Sequence, residues 1–164
     1  MTERRPPLDL SEEQLNYIVT RVNHAMLNEP RCWGPTKRVI VGQNVALANT
    51  LFNTSSGMVI IGDDSFFGHN VCLLTGTHDH HKRGVSRHES VPDSGRDILI
   101  GRGVWISSNV TVIGPCSIGD DVVIAAGSVV TGGELPGGYI YAGVPAKAIK
   151  AIDFTDPPAT AGQP

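Results

Sequence analysis

The chain has 164 residues, enough for one domain with little room for a second. Its charged fraction of 18% is too low for a disordered chain or a long surface helix, and 19 glycines are too many for a helical bundle. A net charge of −3 leaves no basic excess to displace counterions, so nucleic acid is not an expected partner. Residues 1–7, Met-Thr-Glu-Arg-Arg-Pro-Pro, lack the apolar run of a secretory leader, and no apolar stretch is long enough to cross a bilayer. The expectation is a soluble cytoplasmic protein with no membrane partner.

The first element is a helix. Ser11-Glu12-Glu13-Gln14 reads as a capping box, and Leu15, Ile18, Val19, Val22 and Met26 follow at helical spacing. The helix is expected from about Glu12 to Leu27, ended by Pro30, within an N-terminal helical segment covering 1–35. Its apolar stripe is expected to dock on the main body.

From about Arg38 the rhythm changes to steps of six. Aliphatic residues stand at Ile100, Ile106, Val112, Ile118, Ile124 and Val130, and the same step links Ile61, Phe67 and Leu73, and Val41 and Leu47. Small residues often follow them, as at Gly62, Gly68, Gly101 and Gly119. Six fits neither a helix nor a simple amphipathic strand. It fits a coil whose sides are each a short strand plus a tight corner, three sides to a turn, with the aliphatic inside. That is the signature of a parallel β-helix, expected over 36–142. An antiparallel sandwich with evenly spaced strands is the competing reading.

The phase breaks between Leu73 and Ile100. The segment 76–98 holds His78, His80, His81 and His88 with several Lys and Arg, and so cannot sit in a narrow apolar coil. It is expected as an extruded loop, where function usually sits. A short C-terminal helix is expected over 143–153, with Pro145 in its first turn and Lys147 and Lys150 on one face. A flexible tail is expected over 154–164. The three cysteines, Cys32, Cys72 and Cys116, form no C-x-x-C pair, so neither a zinc ribbon nor a disulfide framework is expected.

Several motifs are more specific than the period. They are Leu73-Leu74-Thr75-Gly76-Thr77-His78-Asp79-His80, Val104-Trp105-Ile106, Ile118 to Thr131, and Gly143-Val144-Pro145-Ala146-Lys147. Over about Val39 to Ile152 the chain resembles the hexapeptide-repeat acyltransferases, in particular the maltose, galactoside and xenobiotic O-acetyltransferase group. The resemblance implies a left-handed parallel β-helix, a handedness that spacing does not reveal. It also implies a homotrimer with active sites between neighbouring subunits, and acyl transfer from acetyl-CoA or another acyl-CoA to a hydroxyl of a sugar or glycan precursor, with no metal required.

An alcohol needs a base to attack a thioester, and His78 matches the family's catalytic histidine. The Ser108 amide matches its oxyanion donor. Ala126, Gly127 and Thr131 match the cofactor slot, and Lys147 and Lys150 match basic positions near the nucleotide phosphates. The family's acceptor-binding asparagine falls in the region of Asn49 and Asn53, where a length difference leaves both in range; Asn53 is assigned, with Asp79 beside it. A basic residue common in the family is Gly132 here, a departure on the cofactor side. Three readings compete. A γ-type carbonic anhydrase would need zinc-binding histidines on successive coils, and no histidine follows His88. A silent scaffold would have no use for the loop histidine. N-acylation of an amino-sugar, or O-acetylation of an antibiotic, would use the same base.

Overall fold

Each six-residue unit supplies one short strand and one corner, so consecutive units land on successive faces of a triangular prism. The computed structural model describes residues 10–155. It opens with helix α1 (Glu12–Asn28), strand β1 (Arg31–Trp33) and a 3-10 turn (Thr36–Arg38). The strands β2 (Val39–Val41), β3 (Leu51–Asn53), β4 (Val59–Ile61), β5 (Phe66–Phe67) and β6 (Cys72–Leu74) follow. After helix α2 (Gly84–Glu89) come β7 (Ile98–Ile100), β8 (Trp105–Ile106), β9 (Thr111–Ile113), β10 (Cys116–Ile118), β11 (Val123–Ile124), β12 (Val129–Val130) and β13 (Gly133–Leu135). The chain ends in β14 (Tyr139–Gly143) and β15 (Ala146–Ala151).

The strands form three sheets. The first face is β1-β3-β6-β9-β12, the second β2-β4-β7-β10-β13, and the third β5-β8-β11-β14-β15. All pairings are parallel except β14 with β15, and Leu51, Cys72, Thr111 and Val129 stack in one column. This is the expected parallel β-helix, of the left-handed class. Parallel neighbours, each one coil apart, exclude the antiparallel sandwich.

The six-residue period is a packing rule. Ile100, Ile106, Val112, Ile118, Ile124 and Val130 are buried, and so are the residues two places before each: Ile98, Val104, Val110, Cys116, Val122 and Ser128. Two inward side chains per strand fill the narrow core, each large aliphatic contributing about 1.5–3 kcal/mol. The small residue that follows has its own cause. A Cβ on Gly62 would lie 2.7 Å from the Gly101 carbonyl carbon, so the next coil's backbone occupies the space. Val41 departs from the rule: it is exposed, because it lies in the first coil, which has no coil before it to close the core.

Two further expectations need correction. The C-terminal helix over 143–153 is a strand: Ala146–Ala151 pairs antiparallel with β14. The edge of β14 is the last open edge of the third face, and pairing it satisfies a row of backbone groups that the helix propensity of Ala and Lys cannot. Helix α1 is present with its capping box, Ser11 Oγ accepting from the Gln14 amide and Gln14 Oε1 from the Ser11 amide. Its stripe, however, does not dock: Leu15, Ile18, Val19, Val22 and Met26 are 42–54% exposed. The first coil offers it little surface; Asn49 Nδ2 donates to the Met26 carbonyl at 3.2 Å. The reading of residues 1–7, and the expected tail from residue 156 onward, lie outside the described residues.

Candidate active site

The extruded segment leaves the prism at the corner between the first and second faces, and both of its roots are pinned. At the outgoing root, the buried Thr75 donates its amide (2.9 Å) and hydroxyl (2.8 Å) to the Asn53 carbonyl one coil below. At the returning root, Arg96 Nε donates to the Thr75 carbonyl at 2.8 Å, and its amide to Ser56. The loop ends at Asp97, because Ile98 is already a buried strand residue. The segment is folded between its roots. The Asp79 amide donates to the Ser90 carbonyl at 3.0 Å, Lys82 Nζ to Ser90 Oγ at 2.6 Å, and Arg87 Nε to the Lys82 carbonyl at 2.7 Å.

This bracing sets His78 at the wall of a cavity of about 510 Å³, lined also by Thr77, Asp79, Lys82, Glu89 and Ser90. The His78 ring is stacked on that of His88, with centroids 6.0 Å apart and planes 16° from parallel. His80 and His81 are exposed and tilt against each other. The Asp79 carboxylate serves its own loop: Oδ1 accepts from the His81 amide at 3.0 Å, and Oδ2 lies 4.0 Å from Lys82 Nζ. Asn53 stands directly under the loop root. A Cβ on Gly76 would collide with its side-chain amide, whose Oδ1 accepts from the Ser55 amide at 3.0 Å. Asn49 is elsewhere: it is buried at the opposite corner, exchanging hydrogen bonds with Asn70 at 2.9 and 2.7 Å.

A second group gathers at the corner between the third and first faces. Ser108 turns that corner, and Ala126 and Gly127 turn it one coil on, the Gly127 amide donating to the Ser108 carbonyl at 3.0 Å. Gly127 has φ +72° and faces open space, while the Ser108 amide has no acceptor among the described residues. The β14–β15 turn caps this corner, with the Gly143 amide donating to Ser128 Oγ at 3.2 Å.

Lys147 and Lys150 follow from that turn. They pair with Ala142 and Ile140, and a register shift lies between Ile140 and Tyr141. Because Tyr141 points into the core, Ala142 and Ile140 point outward, and the shift places both lysines on that same outer side. The expected shared face survives although the helix does not. Thr131 stands apart from these residues, at the end of the first face nearest the loop. Trp105 stacks on Phe66 on the outside of the third face, centroids 5.7 Å apart.

Eight of the assigned residues fall into two sets at opposite edges of the first face: Asn53, His78, Asp79 and Thr131 at one, Ser108, Ala126, Gly127 and Lys147 at the other; Lys150 lies farther along β15, opposite Ile140. His88 carried no assigned role in the sequence. Its signal there was only the density of histidines between residues 78 and 88.

Two family models match the chain. One, described as bacterial transferase hexapeptide (six repeats), covers residues 97–132; the other, hexapeptide repeat of succinyl-transferase, covers 58–78. Galactoside O-acetyltransferase of Escherichia coli (strain K12) is 33% identical over 135 residues, which is 81% of this chain and 64% of that protein. A putative lipopolysaccharide biosynthesis O-acetyl transferase of the same organism is 33% identical over 118 residues, 68% of this chain and 60% of that one. The chain thus spans less than two thirds of these curated relatives. Among solved structures, a galactoside acetyltransferase in complex with coenzyme A superposes with a TM-score of 0.66 at 24% identity, covering 94% of this chain and 82% of that one. A maltose O-acetyltransferase from Clostridium difficile 630 gives 0.53 at 26% identity, covering 90% and 80%.

Proposed function

The chain belongs to the hexapeptide-repeat acyltransferase family, and we propose that it transfers an acyl group, acetyl first among candidates, from acyl-CoA to a hydroxyl of a sugar or glycan precursor. The observation that carries this reading is the setting of His78. It is the histidine of a doubly pinned loop that stands at the wall of a cavity large enough for a sugar ring.

The chemistry needs one base and one oxyanion donor. A neutral His78 takes the hydroxyl proton as the oxygen attacks the thioester carbonyl carbon. The carbonyl oxygen becomes an oxyanion, met by the Ser108 amide. Collapse breaks the carbon–sulfur bond, and the imidazolium returns its proton to the departing thiolate. Ester and free CoA thiol result, with no covalent enzyme intermediate. Ala126 and Gly127 leave room for the pantetheine arm, and Lys147 and Lys150 face the phosphates.

Two edges of one face cannot meet within a single chain. They do meet when identical copies close into a ring, since each copy then presents one edge to the opposite edge of its neighbour. A homotrimer with one site at each boundary is the reading this favours. The half-buried apolar residues on the outside of the first face, Leu51, Leu74, Ile113 and Val129, support it, as does the uncovered stripe of α1. No helix among the described residues is long and apolar enough to cross a membrane. Dependence on acyl-CoA favours the cytoplasm, where that thioester is made.

The cavity also bears on the acceptor. Arg87 and Arg96 are spent on loop carbonyls and Lys82 on Ser90, whereas the Glu89 carboxylate on the cavity wall offers oxygens to hydroxyl groups. A polyhydroxylic acceptor fits this better than an anionic one. The test is thiol release from acetyl-CoA across a panel of sugars, beside His78→Ala. Loss of about 10²–10⁴ in kcat with an unchanged melting curve is expected. Full turnover by the variant would overturn the assignment of the base.

A further inference from the structure

His88 lies ten residues beyond His78, yet the loop folds its ring onto that of His78. The residues just after each are tied together. The Asp79 amide donates to the Ser90 carbonyl, and Lys82 bridges to Ser90 Oγ and towards Asp79. Helix α2 presents His88 from its last turn, and Arg87 beside it is anchored on the Lys82 carbonyl at 2.7 Å and the His80 carbonyl at 3.4 Å. The stack is thus fixed by ties on both sides of it.

We propose that His88 is a positioning residue for His78: its ring holds the His78 imidazole in place at the cavity wall. This rests on the reading of His78 as the general base. The centroid separation of 6.0 Å lies within the range of stacked rings. A ring packed against one face limits rotation of an otherwise exposed imidazole, and a base must be held near its target to act. When His78 becomes an imidazolium, a neutral ring face beside it is favourable. The other ionisable groups around the pair are Asp79, Lys82 and Glu89 on the cavity wall, with Arg87 drawn away to its carbonyls.

The experiment compares wild type, His78→Ala, His88→Ala and His88→Phe for kcat and both KM values, with thermal melts as folding controls. His88→Ala is expected to lower kcat about three- to tenfold, leaving KM for acyl-CoA within about twofold. His88→Phe, which keeps a ring face at that position, is expected to restore most of kcat. Equal losses in the two His88 variants would overturn the stacking role. So would a His88→Ala enzyme with wild-type kcat, and if His78→Ala is then inactive the proposed function stands without this inference. An active His78→Ala enzyme would overturn both.

Discussion

His78 and Ser108 stand at opposite edges of one face of the prism. His78 follows β6 out of the corner at its end, while Ser108 turns the corner that leads into β9, the strand paired with β6. Three strand residues, about 10 Å of chain, separate the two corners. Within one chain the proposed base and the proposed oxyanion donor are held apart by the rigidity of the coil itself.

The two lysines of β15 carry their own prediction. Lys147 and Lys150 share the outer side of β15, both exposed. Exposed cations facing phosphates contribute modestly and are screened by salt. The double variant Lys147→Glu, Lys150→Glu should raise KM for acetyl-CoA about tenfold at low ionic strength. The rise should shrink markedly in about 0.5 M salt, with kcat little changed. Initial rates at two salt concentrations check this; a salt-independent rise would contradict it.

The six-residue rule predicts a stability cost at Gly62, at the corner between the second and third faces and away from both edges of the first. Gly62→Ala would drive a Cβ to within 2.7 Å of the Gly101 backbone. Backbone in the next coil can yield only by shifting the stack, so the variant should lose about 1–3 kcal/mol in denaturant unfolding. A neutral result would mean that the coils are less tightly stacked than the core requires.

Much of this was legible in the sequence. The period could be read because each inward aliphatic has a fixed place on its strand and each small residue faces backbone one coil away. The loop was legible as a phase break filled with charge. Strand β15 was not, because its Ala and Lys favour a helix locally and only the open edge of β14, a tertiary feature, decides otherwise. The stack of His78 on His88 was hidden for the same reason, since it depends on ties at Asp79, Lys82 and Ser90 that no spacing records. Val41 kept the pattern but not the burial, because the period does not say where the solenoid begins.

Cys116 makes stability depend on alkaline pH. Its burial pushes the thiol up from the ordinary 9.0 to about 11. Below pH 9.0 the thiol is protonated in both folded and unfolded chains and has no effect on stability. Between 9.0 and about 11 the unfolded chain gives up the proton and the folded one keeps it, so stability falls as pH rises. Burial raises the Tyr141 hydroxyl as well, reinforced by Tyr139. The urea midpoint should therefore fall between pH 8 and pH 10, and fall less in Cys116→Ala. Equal falls would remove Cys116 as a cause.

The placement of catalysis at a boundary between copies is tested most directly by complementation. His78→Ala lacks the base, and Ala126→Tyr blocks the slot; each alone should be inactive. When the two are unfolded together and refolded at equal ratio, a boundary site needs the base from one kind of chain and the slot from the other. For random trimers this arises at about one site in four, so about a quarter of wild-type activity should return. A mixture as inactive as its components would place base and slot in the same chain and contradict the account.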